Sequence, residues 1–197
     1  HNDAFYNIGY CYYNQGDYFN AATAFRTFTQ DASETAKDKI ADAYLRIGDC
    51  YFVQKPADDN NAILFYQKAI EVGAGQVDYA KYQIGLSYGF LSRYSEKVSM
   101  MLDIVNNHRG SVFIVPALYE VAETYRVTED HSNAKRYYNQ LLLDYPTHQH
   151  AVDALFQLGV IAYTSKEYTQ AESHFLRILN EFPNSPRKKD ALENLRG

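Results

Sequence analysis

The 197-residue sequence predicts an all-α protein, built as a stack of about five helix–turn–helix repeats. Three observations predict it. A small residue recurs at Gly9, Gly48, Gly85, Ala122 and Gly159, with spacings of 39, 37, 37 and 37 residues, a period that marks a repeat architecture. Around each anchor the apolar residues fall at helical spacing, as in Phe5, Ile8 and Tyr12. Each anchor segment is followed by a second segment with an alanine and, four residues later, a large apolar residue: Ala21 and Phe25, Ala62 and Tyr66, Ala134 and Tyr138, Ala171 and Phe175.

Taken in order, this pattern places helices over roughly 2–15, 18–31, 35–54, 58–72, 76–92, 94–107, 112–127, 131–144, 148–165 and 168–181. They group into one array with repeats at about 2–33, 35–73, 76–109, 112–146 and 148–183, and a capping or truncated segment at 185–197. Prolines in Tyr145-Pro146 and Phe182-Pro183 close two of the second helices, because proline lacks an amide hydrogen and clashes with the preceding turn. The third repeat departs most from the pattern, with Lys97 where alanine is expected and Met101 at the aromatic place. Lys55-Pro56-Ala57-Asp58-Asp59 reads as an insertion tolerated at an exposed turn. An eleventh helix starts at Ser185-Pro186, with Leu192 and Leu195 expected to face back. Arg196 falls 37 residues after Gly159, which favours a cut repeat over a cap. The small anchor allows the two helices of a pair to approach, and the aromatic is expected in the gap between successive pairs. Burying each ring contributes roughly 1.5–3 kcal/mol. No pair buries its apolar face alone, so stability comes from stacking neighbours.

Composition narrows the function. Net charge is -5 and the dense basic run, Arg187-Lys188-Lys189, reads as a solvated helix face. That argues against nucleic acid, whose phosphates need clustered cations. No apolar stretch approaches the roughly 18 residues of a membrane span, so this segment is not expected to insert directly into a membrane. The chain begins with His1, which reads as a processed or excised piece with a tag remnant. Cys11 and Cys50 hold equivalent places in neighbouring repeats and read as two small buried thiols, not a disulfide.

The anchor segments and the alanine–aromatic pairs resemble the tetratricopeptide repeat family over nearly the whole chain, the stretch from Ala4 to Phe28 being close to the family pattern. The longer period and the Tyr-Pro and Phe-Pro-Asn-Ser closings are similar to repeats of bacterial envelope proteins, such as BamD-type lipoproteins and Tol-associated coordinators. The resemblance implies a right-handed superhelical solenoid whose first helices line a concave groove for a partner. The groove positions are then Tyr6, Asn7, Tyr10 and Tyr13; Leu45, Arg46, Asp49 and Phe52; Tyr82, Gln83, Leu86 and Gly89, with Phe90 beside it; Tyr119, Glu120, Glu123 and Arg126; and Phe156, Gln157, Val160 and Tyr163. Tyrosine offers a large contact area with a polar tip, which suits an extended or helical peptide. Chaperone-binding members carry a clamp of lysine, arginine and asparagine for a carboxylate. The matching places here hold Tyr6, Tyr10, Arg46, Tyr79 and Gln83, so an acidic chaperone tail is not the expected ligand.

Nothing points to catalysis, a cofactor or a metal. There is no phosphate loop, no dinucleotide fingerprint and no cysteine knuckle. His148 and His150 lie on different faces of a helix unless the helix starts between them. Glu120 and Glu123 read as charged groove residues beside Arg126, and His108, His131 and His174 as surface side chains. The expected function is a protein-interaction scaffold binding a protein or peptide, in the bacterial periplasm or cell envelope in preference to the cytoplasm. A peptide-sensing module of a cytoplasmic signalling protein and a glycan-binding periplasmic module are the alternatives. The sequence leaves the oligomeric state open.

Overall fold

The computed structural model describes residues 2–73 and 75–196; His1, the proposed tag remnant, and Gly197, the end of the capping segment, lie outside them, as does Ala74. Eleven α-helices follow one another among the described residues: α1 (Asn2–Asn14), α2 (Tyr18–Asp31), α3 (Lys37–Val53), α4 (Asp59–Val72), α5 (Val77–Phe90), α6 (Tyr94–Asn107), α7 (Ile114–Val127), α8 (His131–Asp144), α9 (Gln149–Thr164), α10 (Tyr168–Glu181) and α11 (Arg187–Asn194), with a 3-10 turn at Glu34–Ala36. The first ten begin and end within two residues of the helices expected from the periodicity. The chain divides into two compact units, His1–Ile104 and Val105–Gly197.

Three of the second helices start on the same local device. Asp17, Asp58 and Asp130 each accept from the backbone N–H of the asparagine three residues on, at 3.2, 3.1 and 3.1 Å. Each carboxylate also accepts from that asparagine's side-chain amide at 2.7 Å. The cap satisfies an amide that has no partner within the helix.

Within the first unit α2 packs between α1 and α3, and α4 between α3 and α5. In the second, α8 packs on α7 and α9, and α10 on α9 and α11. The small anchors are where side chains from the second helix lie against the first. A Cβ added to Gly9, Gly48 or Gly159 would lie 2.7 Å from the ring of Phe25, Tyr66 or Phe175, and one at Gly85 would lie 2.6 Å from Met101 Cε. This corrects the expected placement of the aromatic: it sits on the glycine of its own pair, because removal of the Cβ opens a seat there. The irregular third repeat follows the same logic. Lys97, larger than the alanine it replaces, lies across Gly89, where a Cβ would come within 3.1 Å of its Cδ.

Three further expectations are corrected. Cys50 is buried but Cys11 is exposed, because α2 covers this face of α3 and no helix among the described residues covers the corresponding outer face of α1. On α11 it is Ala191 that is fully buried, with Leu195 packed partly against the same core, while Leu192 is exposed. His174 is half-buried, not on the surface: its Nδ1 is shielded and has no hydrogen-bond partner, and burial, then Arg177 and Lys135, pushes its pKa down.

Candidate interaction faces

In the first unit the first helices bring their tyrosines onto two aspartates. Asp42 accepts from Tyr6 at 2.7 Å and from Tyr10 at 2.5 Å, both on α1. Asp49, two α3 turns further on, accepts from Tyr66 of α4 at 2.8 Å, from Tyr79 of α5 at 2.6 Å and from Tyr13 of α1 at 3.4 Å. Arg46 sits between the two carboxylates, with Nη1 2.5 Å from Asp49 and Nε 3.4 Å from Asp42. Its guanidinium also lies over the rings of Tyr13 and Tyr79, at 5.9 and 6.0 Å. Three repeats are thereby tied together by one network of two carboxylates, a guanidinium and five phenols.

The electrostatics follow from burial beside fixed charge. Burial, then Asp42, raises the pKa of the Tyr6 and Tyr10 phenols. Burial, then Asp49, does the same for Tyr66 and Tyr79. For Arg46 burial works against the charge, but Asp49 and Asp42 outweigh it and hold the guanidinium ionised. These hydroxyls are therefore donors committed to carboxylates; Tyr66 is fully buried, while Tyr6, Tyr10 and Tyr79 stay partly accessible.

Asp49, expected on the groove surface, is 3% exposed. It is the hub of the framework, because a buried carboxylate requires this many donors. Tyr6, Tyr10, Tyr13, Arg46, Phe52, Tyr82 and Gln83 are partly covered, Asn7 is exposed, and Phe90 is 68% exposed with its ring 5.8 Å from that of Phe52. Leu45 belongs to the core and not to the face. The sequence reading missed Asp42, and assigned Tyr66 only to packing. A signal for Asp42 was present: an aspartate recurs six residues before the anchor at Asp3, Asp42 and Asp153.

The second unit repeats the device with different residues. Glu123 holds Arg126 through two nitrogens, the closer at 2.8 Å, and accepts the hydroxyl of Tyr138 from α8. Tyr119 stacks on His150 of α9, centroids 4.7 Å apart and planes at 12°. The helix does start between the two histidines: His148 caps α9, its Nδ1 accepting from the His150 amide at 3.1 Å, and the two rings lie 5.2 Å apart. Asp153 bonds Arg187 of α11 at 2.8 Å, and the Arg187 guanidinium lies 4.8 Å over the ring of Phe156. His150, Asp153, Phe182, Pro183, Pro186 and Arg187 line a cleft of about 810 Å³. Tyr163 is exposed, its ring edge-on to Tyr168 at 5.6 Å. Among the described residues no group of three or more histidine, cysteine or carboxylate side chains is placed to hold a metal ion, and no helix is long and apolar enough to cross a membrane.

Family models of the tetratricopeptide repeat match residues 119–186 and 3–35, one in each unit. The chain belongs to the tetratricopeptide repeat family. Solved structures of similar fold include MamA, at 16% identity and a TM-score of 0.72, covering 96% of this chain and 93% of that one. YrrB, described as a tetratricopeptide repeat protein with an unusual peptide-binding site, matches at 15% identity and 0.68, covering 98% and 91%. A tetratricopeptide repeat protein from Parabacteroides merdae matches at 14% and 0.73, covering 93% and 68%. No curated protein matches the sequence. At these identities the likeness is one of tetratricopeptide fold.

Proposed function

We propose that this tetratricopeptide repeat chain is a protein-interaction scaffold that binds an extended or helical peptide on the faces made by its first helices. One observation carries the reading: the tyrosine hydroxyls of the first unit are held by Asp42 and Asp49, so their rings are oriented before a partner arrives. A face already ordered loses little side-chain entropy on binding, and that raises affinity without new contacts. Phe52, Phe90 and Asn7 supply accessible apolar and polar contacts beside it. Tyr119, Arg126, Phe156 and Tyr163 supply them in the second unit. The match to a family whose members hold proteins, and the similarity to a peptide-binding relative, support the same reading.

The Tyr-Pro and Phe-Pro-Asn-Ser closings favour a bacterial envelope protein as the setting. A lipoprotein signal in the full polypeptide would support this, whereas a fused kinase or DNA-binding domain would favour the cytoplasmic sensor.

The test is affinity capture from the source organism's extract with three baits: the wild type, Phe90→Ala and Tyr163→Ala. Both replaced rings are accessible and outside the carboxylate networks, so helix content should be unchanged by circular dichroism. A partner held by the wild type and bound about tenfold or more weakly by either variant is the expected result, about 1.4 kcal/mol or more. Identical retention by all three would move the binding surface away from these faces. Tyr10→Ala is a poorer probe, since it also removes a donor from Asp42.

A further inference from the structure

The outer side of α1 carries the buried-face residues of an internal repeat, yet it is open. Ala4, Ile8, Cys11 and Tyr12 are the same residues, in the same register about the anchor, as Ala43, Ile47, Cys50 and Tyr51 of α3, and Phe5 stands where α3 has Tyr44. On α3 these side chains are covered: Ala43 and Ile47 are 0% exposed and Cys50 2%. They share one core with Ala21, Ala22, Phe25 and Phe28 of α2, against which Tyr44 and Tyr51 also pack. On α1, Phe5 and Ile8 are each 41% exposed, Tyr12 is 36% exposed, and Ala4 and Cys11 are exposed. The later repeats agree with α3: Ala80, Ala117 and Ala154 at the first of these places, and Ile84, Val121 and Leu158 at the second, are all buried.

A helix side left to water is ordinarily polar, whereas the outer side of α1 presents a contiguous apolar stripe at i, i+4 and i+7–8. We propose that the outer face of α1 is a docking face for an amphipathic helix with the stripe of α2: two small residues, then an aromatic three positions on and a second three beyond it. The identity of the α1 and α3 faces fixes that chemistry, because α2 already solves the packing problem that α1 poses. A second copy of the chain is a poorer occupant, since its own α2 stripe is covered by α3.

Cys11 reports the state of this face directly, and the buried Cys50 serves as the internal reference. Joining a second copy of residues 18–39 ahead of His1 places an α2 helix in register, for Ala4 then follows Lys39 as Ala43 does. In this extended chain, native alkylation of Cys11 should slow by roughly tenfold or more relative to the unextended chain, because access governs thiol reactivity. Ile8→Asp within the extended chain should restore fast alkylation by placing an unpaired carboxylate under the helix. Circular dichroism of the same variant shows that the rest of the chain is folded. Unchanged Cys11 reactivity in the extended chain would overturn the proposal, as would slowing that Ile8→Asp leaves intact. Cys11 protection that grows with the concentration of the unextended chain would also overturn it, in favour of self-association.

Discussion

At the scale of single residues, the fold turns on places where the absence of an atom matters. Gly159 is one, because the Phe175 ring occupies the space a Cβ would need. Gly159→Leu should destabilise the second unit by about 1–3 kcal/mol or more through overpacking, and an unchanged thermal midpoint would refute the seat. Gly85 faces a flexible Met101 instead of a ring, so Gly85→Ala should cost less than Gly159→Ala. At the helix starts, Asp58→Ala removes the α4 cap and should cost about 1 kcal/mol by denaturant unfolding, while Asp58→Asn should retain most of it. The two cysteines, equivalent in sequence, differ in chemistry. Burial, then Asp49, pushes the Cys50 thiol up to about 12, so native thiol titration should find Cys11 reactive and Cys50 inert until the chain unfolds.

At the scale of helices, the carboxylate–tyrosine networks join elements that the apolar core alone would leave free to slide. Asp49 takes hydroxyls from α1, α4 and α5 and the guanidinium of its own helix. Asp49→Asn keeps the shape but leaves Arg46 without its closest counter-charge and mismatches the phenol donors. A loss of about 3–5 kcal/mol is expected, the cost of breaking a buried ion pair from one side. The networks also set an alkaline limit. Tyr6, Tyr66, Tyr79 and Tyr138 have folded-state pKa values raised above the ordinary 10.0. Their contribution is fully present below pH 10 and is lost as pH rises from there towards the folded-state values, because the unfolded chain then releases protons that the folded chain retains. Tyrosinate absorbance should therefore show a delayed group that ionises together with the loss of helix. In Asp49→Asn that step should come at lower pH, since the charge opposing ionisation of Tyr66 and Tyr79 is gone.

At the scale of the whole chain, the repeats within each unit rest on their neighbours, so damage should stay local. Hydrogen exchange on Gly159→Leu should show lost protection in α9 and α10, while α2 and α3 keep theirs; uniform loss would mean that the chain unfolds as one cooperative body. The sequence by itself determined the class of fold and the eleven helices of the described residues, but not the seats under the aromatics, which it placed between successive pairs. The class and the helices follow from the period of small and apolar residues, and that period is a local property of the chain. It also assigned the candidate face residues to shared helix sides, since side chains at fixed offsets from an anchor lie on one side of a helix. What it left undecided depended on partners far apart in sequence. Asp49 and Phe90 both fell at expected groove positions, yet one is buried under tyrosines from three other helices and the other is open. Cys11 and Cys50, or Ile8 and Ile47, are the same residue in the same register, and only the presence or absence of a covering helix separates exposed from buried. Periodicity dictates which face a side chain occupies, but burial is set by what packs against that face, and only the tertiary structure decided that.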